Sequence, residues 1–242
     1  MSDVDGRPIT DVVGFFRRLD VPEGSRKELL WGEVLISPEP DRAHDDIVAS
    51  VADQIPYACW WRQRTPGVPS AREGSEPQAP ASHSLVAFFE GLAVPEGYKA
   101  ELLRGQIVLS GGGGEEVSEP EPDLVVLERG AGPASGRLML SEAVTMLVEV
   151  VSRTSVDRDH RVKRNIYAAG RVPAYLIIDP TVARCVLLTE PTGTDDHADY
   201  EVQRTAEFGT PMPLDFLGIQ LDTTGFQVLP DAGPRPGPHS RP

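Results

Sequence analysis

Two carboxylates and a lysine are the residues of this sequence whose types and spacing could support catalysis. Asp123 follows Pro122 and opens the apolar run Leu-Val-Val-Leu, and Glu149 interrupts a second apolar run. An unpaired carboxylate in an apolar strand costs several kcal/mol, so Glu149 requires a metal ion or another cation as its partner. Two acidic oxygen donors with Lys163 downstream suit Mg²⁺-assisted attack of water on a phosphodiester. The segment therefore predicts a nuclease site.

Each of these residues also has a purely structural explanation. Asp123 could be a turn residue after a proline, and Glu149 could belong to a buried structural ion pair. Lys163 could form an exposed pair with Asp159, four residues earlier, and such pairs contribute little. Asp159, Lys163 and Tyr167 are spaced four apart and are expected on one stripe of a helix. The residue types alone leave both explanations open.

The charge distribution bears on the substrate. A net charge of −14 argues against broad, electrostatically driven binding of nucleic acid, since phosphate contacts need Lys and Arg. One stretch, from Arg153 to Arg171, is nevertheless basic and coincides with the predicted site. That stretch either faces a nucleic acid or is an ordinary solvated helix face.

The composition favours a soluble, cytoplasmic protein without a membrane partner. Apolar residues make up 40% and charged residues 25% of the 242 residues, as in globular domains. No apolar run approaches the roughly 18 residues of a membrane span, and the N-terminus lacks a leader pattern. Cys59 and Cys185 show no metal or redox spacing, which fits a reducing compartment.

The N-terminal half contains a duplication. Phe15–Ser37 aligns without gaps with Phe88–Ser110, and 12 of the 23 positions are identical. Each copy predicts a short helix, a Pro-Glu-Gly turn and two strands around the Gly32 or Gly105 turn. Two units are too few for a solenoid, so this is a local duplication.

The remaining chain alternates between predicted helices and strands. Strands are expected at about 123–128, 146–151, 174–178, 184–189 and 200–206, and helices at about 42–54, 141–145 and 156–169. The segment 211–226 is expected to be a last strand or hairpin. The predicted organisation is a disordered N-terminus at 1–9, the first repeat with its helix at 10–56, a flexible connector at 57–87, a core with the second repeat at 88–229, and a disordered tail at 230–242.

A longer pattern surrounds the three residues and points to a known family. Its members are Pro122-Asp123, Glu149–Ser152, Asp159, Lys163, Tyr167, Gly170, Val172-Pro173, Tyr175 and Asp179-Pro180. This pattern resembles the Uma-two family of bacterial restriction endonucleases, in the nuclease superfamily named for a P-D…(D/E)-x-K motif. The resemblance covers residues from about 10 to 226 and implies an α/β fold, a mixed sheet flanked by helices around a restriction-endonuclease-like core.

The resemblance also implies a mechanism. Asp123 and Glu149 would hold Mg²⁺ or Mn²⁺, Lys163 would act in catalysis, and DNA would be the substrate. In the superfamily the lysine usually lies two residues after the acid, where this chain has Val151, so Lys163 looks like a migrated replacement. Asp159 and Tyr167 are additional candidates. A homodimer is one expected assembly.

A third acidic residue often completes such sites, and the duplication offers Glu28 and Glu101. A surface pair with Arg26 or Lys99 is the simpler explanation for either residue. We expect Glu101 to be the catalytic one, because residues 111–121 connect the second copy directly to Asp123. On that expectation residues 1–84 are dispensable for folding.

Two departures from the family pattern favour a competing function. Arg153 stands where the family usually has proline. The strands expected between the first long helix and Pro122 are hard to find, and Ala58–Arg64 is a candidate remnant. The alternative is therefore a catalytically inactive member that binds nucleic acid or protein.

Overall fold

The computed structural model describes residues 12–56, 58–60, 81–95, 97–103, 105–111, 117–127 and 141–229. The strands are β1 Ser25–Leu30, β2 Glu33–Pro38, β3 Ala58–Trp60, β4 Tyr98–Leu103, β5 Gln106–Gly111, β6 Leu124–Leu127, β7 Val144–Val150, β8 Ala174–Asp179, β9 Arg184–Thr192, β10 Asp199–Glu207, β11 Met212–Leu214 and β12 Ile219–Leu221. The α-helices are α1 Val12–Arg18, α2 Arg42–Gln54, α3 Ala81–Gly91 and α4 Lys163–Ala169. Shorter turns are the 3₁₀ turns Ser141–Ala143, Asp195–His197 and Asp215–Leu217, and the π-helical turn Arg158–Val162.

A six-stranded mixed sheet forms the centre of the molecule, in the order β10-β9-β8-β7-β6-β3. Only β7 and β8 run parallel within it, and the other neighbouring strands are antiparallel. Its central strands are buried on both faces and are rich in Val, Leu and Ile. Apolar residues of α2 pack on one face, and Ile166 and Ala168 of α4 pack on the other. The predicted mixed sheet flanked by helices is confirmed.

Both copies of the duplicated segment join in a second sheet of four strands, in the order β1-β2-β5-β4. Each copy is a hairpin, and the two hairpins pair through β2 and β5. Both hairpin turns need a positive φ, 75° at Gly32 and 78° at Gly105, which glycine adopts without strain. α1 and α3 cover one face of this sheet around a separate apolar cluster. The other face of the first hairpin lies against the central sheet.

Several predicted elements have different boundaries or neighbours in the structure. β3 is the remnant strand expected within 58–64, and it pairs with β6 at the edge of the central sheet. The segment 211–226 contains the β11–β12 hairpin. The helix predicted at 156–169 contains a π-helical turn at Arg158–Val162, and α4 follows from Lys163. The predicted disordered ends and most of the connector lie outside the described residues. None of the helices in the described ranges is long and apolar enough to cross a bilayer.

Candidate active site

Asp123 and Glu149 lie side by side at the start of β6 and within β7. These strands are antiparallel, and Leu124 lies opposite Val148. Asp123 and Glu149, each the next residue along its strand, are therefore cross-strand neighbours on one face of the sheet. The backbone N–H of Val150 donates to Asp123 Oδ2 at 2.8 Å. The structure thus brings together the two carboxylates that the sequence singles out.

Lys163 completes this arrangement from the first position of α4. Its Nζ lies 2.7 Å from Glu149 Oε1 and 2.7 Å from Glu28 Oε1. The lysine side chain is 0% exposed and the two glutamates are 0–1% exposed. Asp159 is also buried, 4.0 Å from Lys163. The alternative of an exposed Asp159–Lys163 pair is therefore wrong.

The π-helical turn Arg158–Val162 positions the side chains that surround the lysine. Ser155 Oγ donates to Asp159 Oδ2, which ties the carboxylate to the start of the turn. One turn after Lys163, the Tyr167 hydroxyl donates to Glu149 Oε1 at 2.6 Å. π-Helical turns recur at functional sites because the extra residue re-aims side chains within a helix. Here it directs Asp159, Lys163 and Tyr167 to one buried point.

Two cationic residues that the sequence did not single out as site residues hold Asp123. Arg26 Nη1 donates to Asp123 Oδ1 at 3.0 Å, and His44 Nε2 lies 2.9 Å from Asp123 Oδ2. Arg26 is two residues before Glu28 on β1, so alternation along the strand places both on one face. The two-residue spacing from Glu28 could therefore have identified Arg26 as a site residue. His44 lies in the first turn of α2, and its local sequence does not identify Asp123 as its partner.

Glu28, and not Glu101, joins this cluster, which corrects the expectation from the sequence. The Glu101 side chain is 41% exposed and pairs with Lys99 at 2.7 Å. The physical reason is the path of residues 117–121, which run back along the first hairpin. The Leu29 and Glu119 backbones exchange hydrogen bonds of 3.3 and 2.7 Å, and the Glu121 N–H donates to Glu28 Oε1 at 3.0 Å.

Buried cations hold two of the carboxylates in their ionised form. Burial opposes ionisation of Glu28, but the attraction of Lys163, Arg26 and Arg158 outweighs it and lowers the Glu28 pKa to about 2. The pKa of Asp123 is also lowered, because His44 and Arg26 outweigh the effect of burial. The Asp123 carboxylate in turn raises the pKa of His44 to about 9, against the effect of burial. The imidazole is therefore protonated at neutral pH.

Glu149 differs from Glu28 and Asp123. Burial is the largest influence on Glu149 and raises its pKa well above the ordinary value, and the neighbouring carboxylates of Asp123 and Asp159 add to the shift. Glu149 Oε2 is buried and accepts no hydrogen bond from the described residues. An added cation would stabilise a buried carboxylate of this kind, because the cation would supply the interaction that the unpartnered oxygen lacks. Perturbed carboxylates of this kind are common at functional sites.

The basic stretch from Arg153 to Arg171 is largely committed to contacts within the protein. Lys163 and Arg158 are buried in the cluster. On the surface, Arg161 pairs with Asp157 at 3.1 Å, and Arg164 pairs with Asp199 at 2.5 Å. The stretch is therefore not a continuous cationic surface for binding phosphates.

A cavity of about 220 Å³ lies beside the cluster. It lies between the N-terminal turn of α2 and the end of β7, and its wall includes His44, Val151, Ser152 and Arg153. His44 contacts both the cavity and Asp123. His44 thus separates the cavity from the Asp123 carboxylate.

Comparison with known proteins supports the resemblance seen in the sequence. Residues 114–224 match the model of the Uma2 family, which is described as "Putative restriction endonuclease". Among solved structures, the chain is similar to "a putative nuclease belonging to DUF820" from Anabaena variabilis, at 12% identity and a TM-score of 0.48. That alignment covers 90% of this chain and 96% of the other. No curated protein matches the sequence.

Proposed function

Because residues 114–224 match the model of the Uma2 family, we propose that this protein is a metal-dependent endonuclease that hydrolyses phosphodiester bonds in DNA. One observation carries the proposal. Lys163 lies 2.7 Å from both the Glu28 and Glu149 carboxylates, in a buried cluster that also contains Asp123. Burying this many charges costs several kcal/mol per ion, and a purely structural core would gain more from apolar residues.

The donors of the cluster fit a Mg²⁺ or Mn²⁺ ion by their chemistry. Within the described ranges no three His, Cys, Asp or Glu side chains are arranged to hold a metal ion. Mg²⁺, however, usually takes one or two carboxylates together with water and substrate phosphate, so a set of three protein ligands is not required. Asp123 and Glu149 would hold the ion, and the unpartnered Glu149 Oε2 supplies a donor. When bound, the ion would supply Lewis-acid polarisation of a phosphate oxygen and a lower pKa for water.

The side chains around Asp123 and Glu149 would hold the catalytic groups in place and supply a positive charge. Lys163 retains its proton at Nζ, because Glu149 and Glu28 outweigh the effect of burial and raise its pKa. Its positive charge would stabilise the negative charge that develops on the phosphoryl oxygens. Glu28 would position the lysine, and Tyr167 would orient Glu149. In the reaction, water attacks phosphorus and one P–O bond breaks, which yields a phosphate monoester and a hydroxyl end.

The test is cleavage of supercoiled plasmid DNA by the purified protein with Mg²⁺ or Mn²⁺, and with EDTA as the control. Asp123→Asn and Glu149→Gln should each reduce cleavage by at least about 100-fold, because both remove a charge at the reacting centre while they preserve shape. If both variants cleave as fast as the parent protein, the site assignment is wrong.

The internal ion pairs of the cluster favour one competing function, an inactive module that binds nucleic acid or protein. In the described part of the cluster, Arg26, Lys163 and protonated His44 already pair with the acidic side chains that would hold the metal ion. Titration calorimetry with Mn²⁺ distinguishes the two functions. The nuclease should bind Mn²⁺ and lose this binding in Glu149→Gln, whereas the inactive module should show no site-specific heat in either protein.

A further inference from the structure

The two copies of the duplicated hairpin are related by a local two-fold axis within the four-stranded sheet. Leu35 of β2 lies opposite Val108 of β5, and these residues are counterparts in the duplication. On one side Val34 lies opposite Leu109, which is the counterpart of Ile36. On the other side Ile36 lies opposite Ile107, which is the counterpart of Val34. Identical subunits that meet in a two-fold symmetric interface show the same reciprocal register. Here the two copies within one chain form it.

The apolar cluster beneath this sheet has the same symmetry. Its members form counterpart pairs from the two copies: Val12 with Leu85, Phe15 with Phe88, Phe16 with Phe89, Leu29 with Leu102, Val34 with Ile107 and Ile36 with Leu109. The two copies therefore share one core, and neither hairpin is an appendage of the other. A two-stranded hairpin is only marginally stable alone, so each copy supplies the partner that the other needs.

The symmetry ends at the face opposite that cluster. In the first copy, Arg26 and Glu28 point from this face into the buried site, where they pair with Asp123 and Lys163. Their counterparts are Lys99 and Glu101, which keep the same charges but are 71% and 41% exposed. The four-stranded sheet thus has two matching halves, and the chain contains one set of Asp123, Glu149 and Lys163 to pack against them.

We infer that the second hairpin replaces the hairpin of a second subunit, so that the protein acts as a monomer with one active site and cleaves one DNA strand per encounter. This inference rests on the proposed function. A symmetric nuclease dimer presents two sites to the two antiparallel strands of a duplex, as two-fold proteins do on two-fold sites. Here β2 is already paired with β5, which blocks pairing with another β2. Each encounter then consumes one water and breaks one P–O bond.

Disulfide trapping tests the assembly in the full-length protein. Directly opposed residues of antiparallel strands have Cα atoms about 4.5–5.5 Å apart, which a disulfide can span. In a Cys59→Ser background, Leu35→Cys with Val108→Cys should close a bond within one chain and run as a monomer on a non-reducing gel. Leu35→Cys alone is the matched control. If two chains pair through β2, this single variant should form covalent dimers, which would overturn the inference.

Plasmid cleavage and light scattering complete the test. The parent protein should have the mass of one chain, 26.2 kDa, and should convert supercoiled plasmid to nicked circles before linear DNA forms. Linear product that grows from the first time point, or a mass of two chains, would overturn the inference while leaving the proposed function intact. An absence of any cleavage would instead overturn the proposed function, and the nicking inference with it.

Discussion

Glu28 and Glu101 are counterparts in the two copies of the hairpin, and only Glu28 lies against the buried Lys163. Glu28→Gln should reduce metal-dependent cleavage by on the order of 100-fold, because Lys163 would lose one of the two carboxylates that position it. The matched change Glu101→Gln removes only an exposed pair with Lys99 and should leave cleavage unchanged. The rates at which the two variants nick plasmid DNA measure both effects. Equal rates in the two variants would contradict the placement of Glu28 in the site.

His44 makes the stability of the protein depend on pH. Its pKa rises from 6.5 to about 9 on folding, beside Asp123. A raised pKa contributes stability that is fully present below pH 6.5 and is lost as the pH rises through about 9. The contribution is on the order of 3 kcal/mol. Urea unfolding in EDTA should show this decline between those two pH values, and His44→Gln should abolish it. A parent protein whose stability is constant across this window would contradict the ion pair.

Tyr167 should act by holding Glu149 in place. Tyr167→Phe preserves the edge-to-face contact with Tyr175, whose ring centroid is 4.9 Å away, but removes the donor to Glu149. Mn²⁺ affinity measured by calorimetry should fall about 10-fold or more, as for other groups that orient a metal ligand. Tyr200→Phe is the control, because its hydroxyl donates to the Val172 carbonyl outside the site. Both variants should lose about 1 kcal/mol of stability, and only Tyr167→Phe should lose metal affinity.

At the level of elements, the first hairpin and α2 belong to the core and not to a dispensable N-terminal region. β1 supplies Glu28, and α2 packs Ile47, Val48 and Val51 against the central sheet. A protein that lacks residues 1–84 should therefore fail to melt cooperatively, because it would expose the face of the sheet that α2 covers. This reverses the expectation from the sequence. Circular dichroism of the truncated protein during heating measures it, and a sharp transition would contradict the structure.

At the level of the whole molecule, the net charge of −14 limits how the protein can bind DNA. Arg161 and Arg164 are paired with acidic residues, and Lys163 is buried, so the basic stretch offers few phosphate contacts. The slope of log K against log salt should correspond to about three phosphate contacts or fewer. Fluorescence anisotropy with a labelled duplex, over a range of salt concentrations, measures the slope. A slope typical of six or more contacts would show a cationic surface that these pairings do not predict.

The sequence by itself determined the central sheet and the three central residues of the site. β6, β7 and β8 are near-continuous apolar runs, and a carboxylate within such a run is conspicuous because its burial is costly. The four-residue spacing of Asp159, Lys163 and Tyr167 indicated a shared helix stripe, and the structure directs all three to one point.

Only the tertiary structure decided which copy of the duplication reaches the site. Glu28 and Glu101 lie in similar local sequences, both followed by Leu-Leu-x-Gly, so no local rule separates them. The difference arises because residues 117–121 pair with β1, and hydrogen bonds between distant segments leave no trace in local pattern. The pairing of His44 with Asp123 was not predicted for the same reason, since the two residues are 79 positions apart. Local sequence encodes elements, whereas contacts between distant elements decide which charged groups meet.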